Sequence, residues 1–364
     1  MCSVNPALIK TILAALCLEG LAVTITAADI GYQFVTVGNP GNAADTTGYG
    51  AVGYSYQMGR YDVTLAQYAT FLNAVATTDT YGLYNPSMGT DLNIAGIART
   101  PTSSGNGYNY SVIGSGDRPV TYVSLFDAAR FANWMQNGQP TGAQNASTTE
   151  AGAYTLGRTM GPFDLITKTP GATFYIPTEN EWYKAAYYAP ALNGGAGGYW
   201  KYATQSNILP GNVVGGTANQ ANYAVWNGSA YVYALTNSVY SSSQNYLTDV
   251  GAFSGSASAY GTYDQTGNVF DWNEAVILGS DRGQRGGWWG SSGTLDSSGR
   301  SSGNGTNETP FIGFRLASIE PIPEPTGIVT GAFCLGVAAL RRKRVSAVQR
   351  ACTARILETV KRGR

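Results

Sequence analysis

The stretch Phe174-Tyr175-Ile176-Pro177-Thr178-Glu179-Asn180-Glu181-Trp182 sets a short β-like run directly against a helix start. Phe174–Ile176 is apolar and aromatic, as a buried strand requires, and Pro177 cannot continue a ladder. Thr178 stands three residues before Glu181. At that spacing the hydroxyl accepts from a free helix N–H while the acid reaches back to the cap. Trp182, Ala185, Ala186 and Tyr187 then follow with apolar contacts. Two more starts of the same form lie upstream. Ser124-Leu125-Phe126-Asp127 follows a second β-like run, Val120–Val123, and leads to Phe126, Ala129, Phe131 or Ala132, and Met135. Thr64-Leu65-Ala66-Gln67 opens a helix with Leu65, Tyr68, Phe71, Leu72 and Val75 on one face. Elsewhere Gly, Ser, Asn and Thr dominate, as in Thr102–Gly107 and Ser291–Gly305, so many loops join few regular elements. With no internal repeat and no linker between two halves, the expectation is one irregular, loop-rich α+β domain.

Composition narrows the chemistry. In 364 residues, 43% are apolar and 12% charged, with 47 Gly and 25 Tyr, enough to bury a sizeable core and too aromatic for general disorder. The zero net charge is a cancellation: Arg341–Arg364 holds nine Lys or Arg and one acid, whereas Asp29–Ser318 holds twelve basic and eighteen acidic residues. A body near −6 speaks against a nucleic-acid partner. The chain has no histidine, and its cysteines, Cys2, Cys17, Cys334 and Cys352, all lie outside Asp29–Ser318. The body therefore excludes Ser-His-Asp and Cys-His catalysis, His or Cys zinc sites, haem ligation through those residues, and disulfides. Carboxylates, Lys and Tyr remain for acid–base work.

Both ends read as addresses. Residues 1–28 carry Lys10, the apolar stretch Thr11–Ala28, and small residues Thr26 and Ala28 before Asp29, the order of a secretory signal; a buried N-terminal helix is the alternative. Residues 319–344 contain Pro323-Glu324-Pro325, the apolar Thr326–Leu340, and Arg341-Arg342-Lys343-Arg344. That order resembles the PEP-CTERM sorting signal of exopolysaccharide-producing Gram-negative bacteria. The resemblance implies a short transmembrane helix with its arginines cytoplasmic, as the positive-inside rule has it, and a body outside. It also implies export machinery and a sorting protease as partners. The destination is the cell surface or extracellular matrix, beyond the inner membrane. A basic tail, 345–364, follows where such signals normally end.

The body, 29–318, carries seven motif segments in order. They are Tyr61-Asp62-Val63-Thr64 with Gln67-Tyr68 and Phe71-Leu72-Asn73; Arg118-Pro119-Val120 with Ala128–Trp134; Ile176–Trp182; Gly261-Thr262-Tyr263-Asp264; Gly267-Asn268-Val269-Phe270-Asp271-Trp272; Arg285-Gly286-Gly287; and Gly313-Phe314-Arg315. Together they resemble the formylglycine-generating enzyme, or sulfatase-modifying factor, domain over about Asn39 to Ser318. The resemblance implies one compact, irregular α+β domain related to the C-type lectin-like fold.

It also implies chemistry that this chain lacks. The formylglycine-generating branch binds copper through two cysteines beyond the Arg-Gly-Gly motif, positions that fall here near Ser291 and Asp296. Thiolates suit Cu(I) and oxygen side chains do not replace them. The sulfoxide-synthase branch holds iron through three histidines, of which there are none, so neither copper nor iron is expected. The family's structural calcium has its counterpart in Asp264, Gly267, Val269 and Asp271, through two carboxylates and two backbone carbonyls, with Asp271 in place of the usual Glu. An Asx-type turn is the alternative reading of that segment. A second calcium is implied, more weakly, at Asn222 and Tyr223.

Trp288-Trp289 beside Arg285 offers an aromatic face for a sugar, although aromatics in a loop-rich fold also serve as core. Three functions follow. The first is an exported, non-catalytic binding or structural protein. The second is a sulfatase-maturation-like enzyme with a carboxylate or oxygen-ligand metal site. The third is an extracellular matrix component that binds surface polysaccharide or another exported protein.

Overall fold

In the computed structural model, residues 30–319 are described. The segments expected from the sequence to be a leader (1–28), a sorting segment (319–344, apart from Ile319) and a basic tail (345–364) lie outside them. No helix among the described residues is long and apolar enough to cross a membrane.

All three capping boxes form. Thr64 caps α1 (Leu65–Val75) with Gln67 reaching back. After the short α2 (Ser87–Thr90), Ser124 caps α3 (Leu125–Gln136) through Asp127, and Thr178 caps α4 (Glu179–Tyr187) through Glu181. Helices α1 and α3 meet through Tyr68, Phe71, Phe131 and Trp134; Phe71 and Phe131 stand edge to face, 5.2 Å between centroids, a favoured aromatic arrangement. Phe314 closes this cluster against Phe131 and Tyr68.

Two small sheets frame the helices. In the first, β1 (Phe34–Val37) pairs with β2 (Tyr56–Gly59), β2 with β14 (Ala317–Ser318), and β14 with β5 (Phe174–Tyr175), all antiparallel. The last strand therefore lies between two early ones. In the second sheet the order is β12 (Ser301–Gly303), β11 (Arg282–Arg285), β10 (Phe270–Val276) and β13 (Ile312–Gly313), with only β10–β13 parallel. A hairpin of β3 (Ile97–Pro101) and β4 (Tyr108–Val112) carries the expected Thr102–Gly107 loop at its turn. The pairs β6 (Tyr188–Ala189) with β7 (Gly198–Tyr199), and β8 (Val225–Trp226) with β9 (Tyr231–Val232), complete the elements used below.

Two expectations change. Val120–Val123 is not a strand: Val120 and Val123 are buried, but Tyr122 takes a left-handed φ of 57°, which breaks any extended run. Ser291–Gly305 is not wholly loop, since β12 lies inside it. The fold is α+β, loop-rich and low in regular structure.

Buried polar side chains do for the loops what ladders do for strands. Asn133, fully buried, donates from Nδ2 to the carbonyls of Thr149 (2.7 Å) and Tyr154 (3.0 Å), and its Oδ1 accepts the Tyr154 N–H. Arg130 and Glu150, both buried, pair at 2.7 Å and tie α3 to the same loop. Each such group satisfies backbone that has no strand partner.

Candidate functional site

Strand β11 ends at Arg285 and the chain turns through Gly286 and Gly287, both at positive φ (101° and 78°). At Gly286 a Cβ would also lie 3.3 Å from the Gln265 carbonyl and from Trp182, so glycine fits twice over. Arg285 turns inward. Its Nε donates to Glu179 Oε1 (2.8 Å) and its Nη1 to the carbonyls of Ser297 and Gly299. Arg300 reaches the same carboxylate from the other side, Nη2 to Oε2 at 2.7 Å, and both guanidinium groups lie over the Tyr49 ring. Glu179, in the first turn of α4, is thus the clamp that closes the segment 285–300 onto the body.

That clamped segment contains Ser291 and Asp296, near which the resemblance leads one to expect the copper thiolates. Ser291 is buried; its Oγ accepts the Trp288 N–H (3.1 Å), and its own N–H bonds the Trp288 carbonyl (2.8 Å). It holds a turn. Asp296 accepts from the N–H groups of Ser298 and Gly299 through Oδ1, while Oδ2 stands 3.6 Å from Lys201 Nζ. Asp296 also lines a cleft of about 290 Å³ with Asp45, Tyr199, Trp200, Lys201 and Asn207. Across the cleft Asp45 accepts from the Tyr183 hydroxyl and, through Oδ1, from the Thr46 N–H (2.7 Å). The walls are therefore aromatic and hydroxylic, with a carboxylate–ammonium pair at one side.

The expected calcium segment runs into β10. Asp264 stands at a left-handed φ of 62°, its Oδ2 accepting the Gly251 N–H at 2.7 Å; burial pushes its carboxyl up to about 6, with that hydrogen bond opposing. Asp271 Oδ2 accepts from Trp182 Nε1 and Arg315 Nε, both at 2.7 Å, whereas its Oδ1 is buried with no hydrogen-bond partner. Gly267 forms a parallel bridge with Asn222, whose carbonyl accepts the Asn268 N–H (2.8 Å), so the two segments expected to bind calcium lie side by side. Asn222 Nδ2 donates to the Tyr246 carbonyl, and the Tyr223 hydroxyl is bonded to that of Pro210; both side chains are buried. Val269 is also buried. Among the described residues no three His, Cys, Asp or Glu side chains converge as a metal-holding group.

The aromatic pair has a different place from that of a sugar platform. Trp289 is 5% exposed and stacks on Tyr246 at 4.8 Å, and Trp288, half-buried, packs on Phe311 at 4.9 Å. With Arg285 held inside as well, these three side chains brace the segment after β11. The tryptophan that does reach solvent is Trp226, 56% exposed on β8 and edge to face with Tyr231 on β9. Trp226 had a legible signal that the sequence reading did not use: Val225-Trp226 and Tyr231-Val232 flank Asn227-Gly228, a hairpin turn pair. The cleft residues were hidden, since Asp45, the run Tyr199–Lys201 at the end of β7, Asn207 and Asp296 meet only in the finished fold; Asp296 alone was singled out as a site position, by its place after Arg-Gly-Gly.

The sulfatase-modifying factor enzyme 1-like domain family matches residues 42–319. No curated protein matches the chain. Among solved structures, CarF is 21% identical over 80% of this chain and 100% of its own, with a TM-score of 0.49. Variable protein 1 of Treponema denticola is 18% identical, over 80% and 98%, at a TM-score of 0.48. PvdO from Pseudomonas aeruginosa is 17% identical, over 79% and 92%, at 0.38. The family match spans α1 to β14 and all seven motif segments, and on that ground the chain belongs to the sulfatase-modifying factor enzyme 1-like domain family.

Proposed function

We propose that the chain is an exported, non-catalytic binding protein on a formylglycine-generating-enzyme-like scaffold. One observation carries this reading: the residues at the two thiolate positions are committed elsewhere, Ser291 to a turn and Asp296 to a loop cap and Lys201. The chain offers no histidine, and its cysteines all lie beyond the body. Fold and chemistry are separable, so a member of the family need not share its reaction. The decisive experiment incubates copper-loaded protein with a sulfatase cysteine peptide and oxygen. Formylglycine above a no-protein control would overturn the proposal.

The cleft at Asp45, Tyr199, Trp200 and Asp296 supports a polyhydroxylated ligand such as a surface polysaccharide, because aromatic walls beside a few fixed polar groups are what sugar rings require. Binding on a glycan array that Trp200→Ala abolishes supports this; an array with no binding removes it. The export part rests on the sequence at both ends. Intact mass of secreted material should show an N-terminus near Asp29 and no C-terminal arginine cluster.

Calcium belongs to the same proposal. Carboxylates of Asp264 and Asp271 with carbonyls of Gly267 and Val269 are the donor types a hard cation takes, and the unpartnered Oδ1 of Asp271 fits one. When bound, the ion would brace the loop entering β10. A ligand selective for the folded state stabilises it by about 2.7 kcal/mol at a hundredfold excess over its dissociation constant. Calcium should then raise the melting temperature, chelator should lower it, and Asp264→Ala should erase most of the difference. Identical melting curves in calcium and in chelator would reject the site.

A further inference from the structure

Two turns of the body carry apolar side chains at their tips. Gly161-Pro162-Phe163-Asp164 closes through the Asp164 N–H to the Gly161 carbonyl (3.1 Å), and Leu278-Gly279-Ser280-Asp281 through the Asp281 N–H to the Leu278 carbonyl (3.0 Å). Such turns ordinarily show Gly, Asn, Asp or Ser to solvent. Here Phe163 is 83% exposed and Leu278 76%, with Leu165 and Val276 exposed close by in the chain. The turns are neighbours, because Ser280 Oγ donates to the Pro162 carbonyl at 3.1 Å. The first is also braced, its Asp164 carboxylate held by Arg158 at 2.6 Å and by the Gly161 N–H. Apolar tips are thus fixed side by side at the surface, where their burial against a partner is favourable.

The chain that follows the body says which partner. Strand β14 pairs Ala317 with Tyr175 and Ser318 with Phe174, and Lys168 Nζ lies 3.3 Å from the centroid of the Tyr175 ring. The segment that carries Phe163 and Leu165 therefore passes beside the point where the described chain ends, at Ile319. Six residues, 320–325, separate Ile319 from the apolar stretch Thr326–Leu340. That gap spans at most about 25 Å when fully extended. A bilayer holding the apolar stretch, as export with a sorting segment requires, comes within the same distance of Ile319. A body near −6 gains nothing from anionic headgroups, and protruding side chains that fill no groove suit hydrocarbon, which closes around them. We propose that Phe163 and Leu278, flanked by Leu165 and Val276, insert into the surface of a zwitterionic lipid bilayer and hold the body against it. This rests on the proposed export and sorting.

The test is hydroxyl-radical footprinting of the full chain, alone and with phosphatidylcholine vesicles, read residue by residue by mass spectrometry. Vesicles should cut oxidation of Phe163, Leu165 and Leu278 by about fivefold or more and leave the exposed Trp226 and Tyr231 unchanged. In Phe163→Ser combined with Leu278→Ser, Leu165 should lose that protection. The melting temperature should stay the same, since both substituted side chains are exposed. A vesicle-bound chain with Phe163 and Leu278 unprotected would overturn the proposal, as would full protection of Leu165 in the double variant. Protection of Trp226 and Tyr231 instead would put the lipid on another face and overturn it. Equal protection without vesicles at rising protein concentration would mark a contact between copies, and overturn it too. A chain that does not bind vesicles at all would also overturn it, while the intact mass of secreted material still judges export by itself.

Discussion

Asn133 shows at the scale of one residue how this fold holds its loops. It sits on the buried face of α3 and satisfies two carbonyls and one N–H of the segment 149–154. Asn133→Ala would strand all three groups, each at a cost of about 1–3 kcal/mol when buried. A large drop in the denaturation midpoint is therefore expected, whereas loss below about 1 kcal/mol would mean that water replaces the amide. The same logic separates what was legible from what was not. Thr64, Ser124 and Thr178 were legible as caps because the interaction is local and has a fixed spacing. The pairing of Arg315 with Asp62 and Asp271 was not, although all three stand in quoted motifs, because the partners are brought together only by the finished fold.

At the scale of elements, the first turn of α3 and the 304–309 loop share an acidic neighbourhood. Burial, then the charge of Asp127, pushes the Glu308 carboxyl up to about 7, with the Asn85 amide opposing at 2.6 Å. Burial likewise pushes Asp127 up to about 6, opposed by its bonds to Ser124. For an acid whose folded value lies above the unfolded one, the native state binds the extra proton between the two values. Stability from Glu308 should therefore fall as pH rises from about 4.5 to 7 and stay low above it. Melting temperatures of wild type and Glu308→Gln at pH 5 and pH 8 check the sign. The variant should exceed wild type by more at pH 8 than at pH 5; the reverse ordering would contradict it. Strands, unlike these helices, were mostly illegible. Strands of two to four residues, such as β5, β13 and β14, are too short to display a period of two. Only Phe174–Ile176 gave itself away, through its apolar run and the following proline.

Across the whole molecule, the order of the first sheet makes the end of the body part of its centre. Strand β14 lies between β2 and β5, Leu316 is fully buried with its carbonyl accepting the Gly59 N–H, and Phe314 and Arg315 just before it complete the aromatic core and the buried ion pairs. Chain positions near 57 and 174 are thus joined through residues near 317, a long-range closure that cannot form until the last segment is present. Truncation should then be sharply position-dependent. A chain ending at Ile319 keeps every described contact of β14, so it should melt cooperatively and resist protease like the full chain. A chain ending at Ile312 loses Phe314, Arg315, Leu316 and β14 together. It leaves Asp62 and Asp271 buried without their cation, and opens β2 and β5 to solvent on one edge. Removing one partner of a buried ion pair alone costs about 3–5 kcal/mol, a large share of the 5–15 kcal/mol that holds a domain together. The shorter chain should therefore be protease-sensitive and lack a cooperative transition. A protease-resistant, cooperatively melting product ending at Ile312 would mean that the first sheet closes without its last strand.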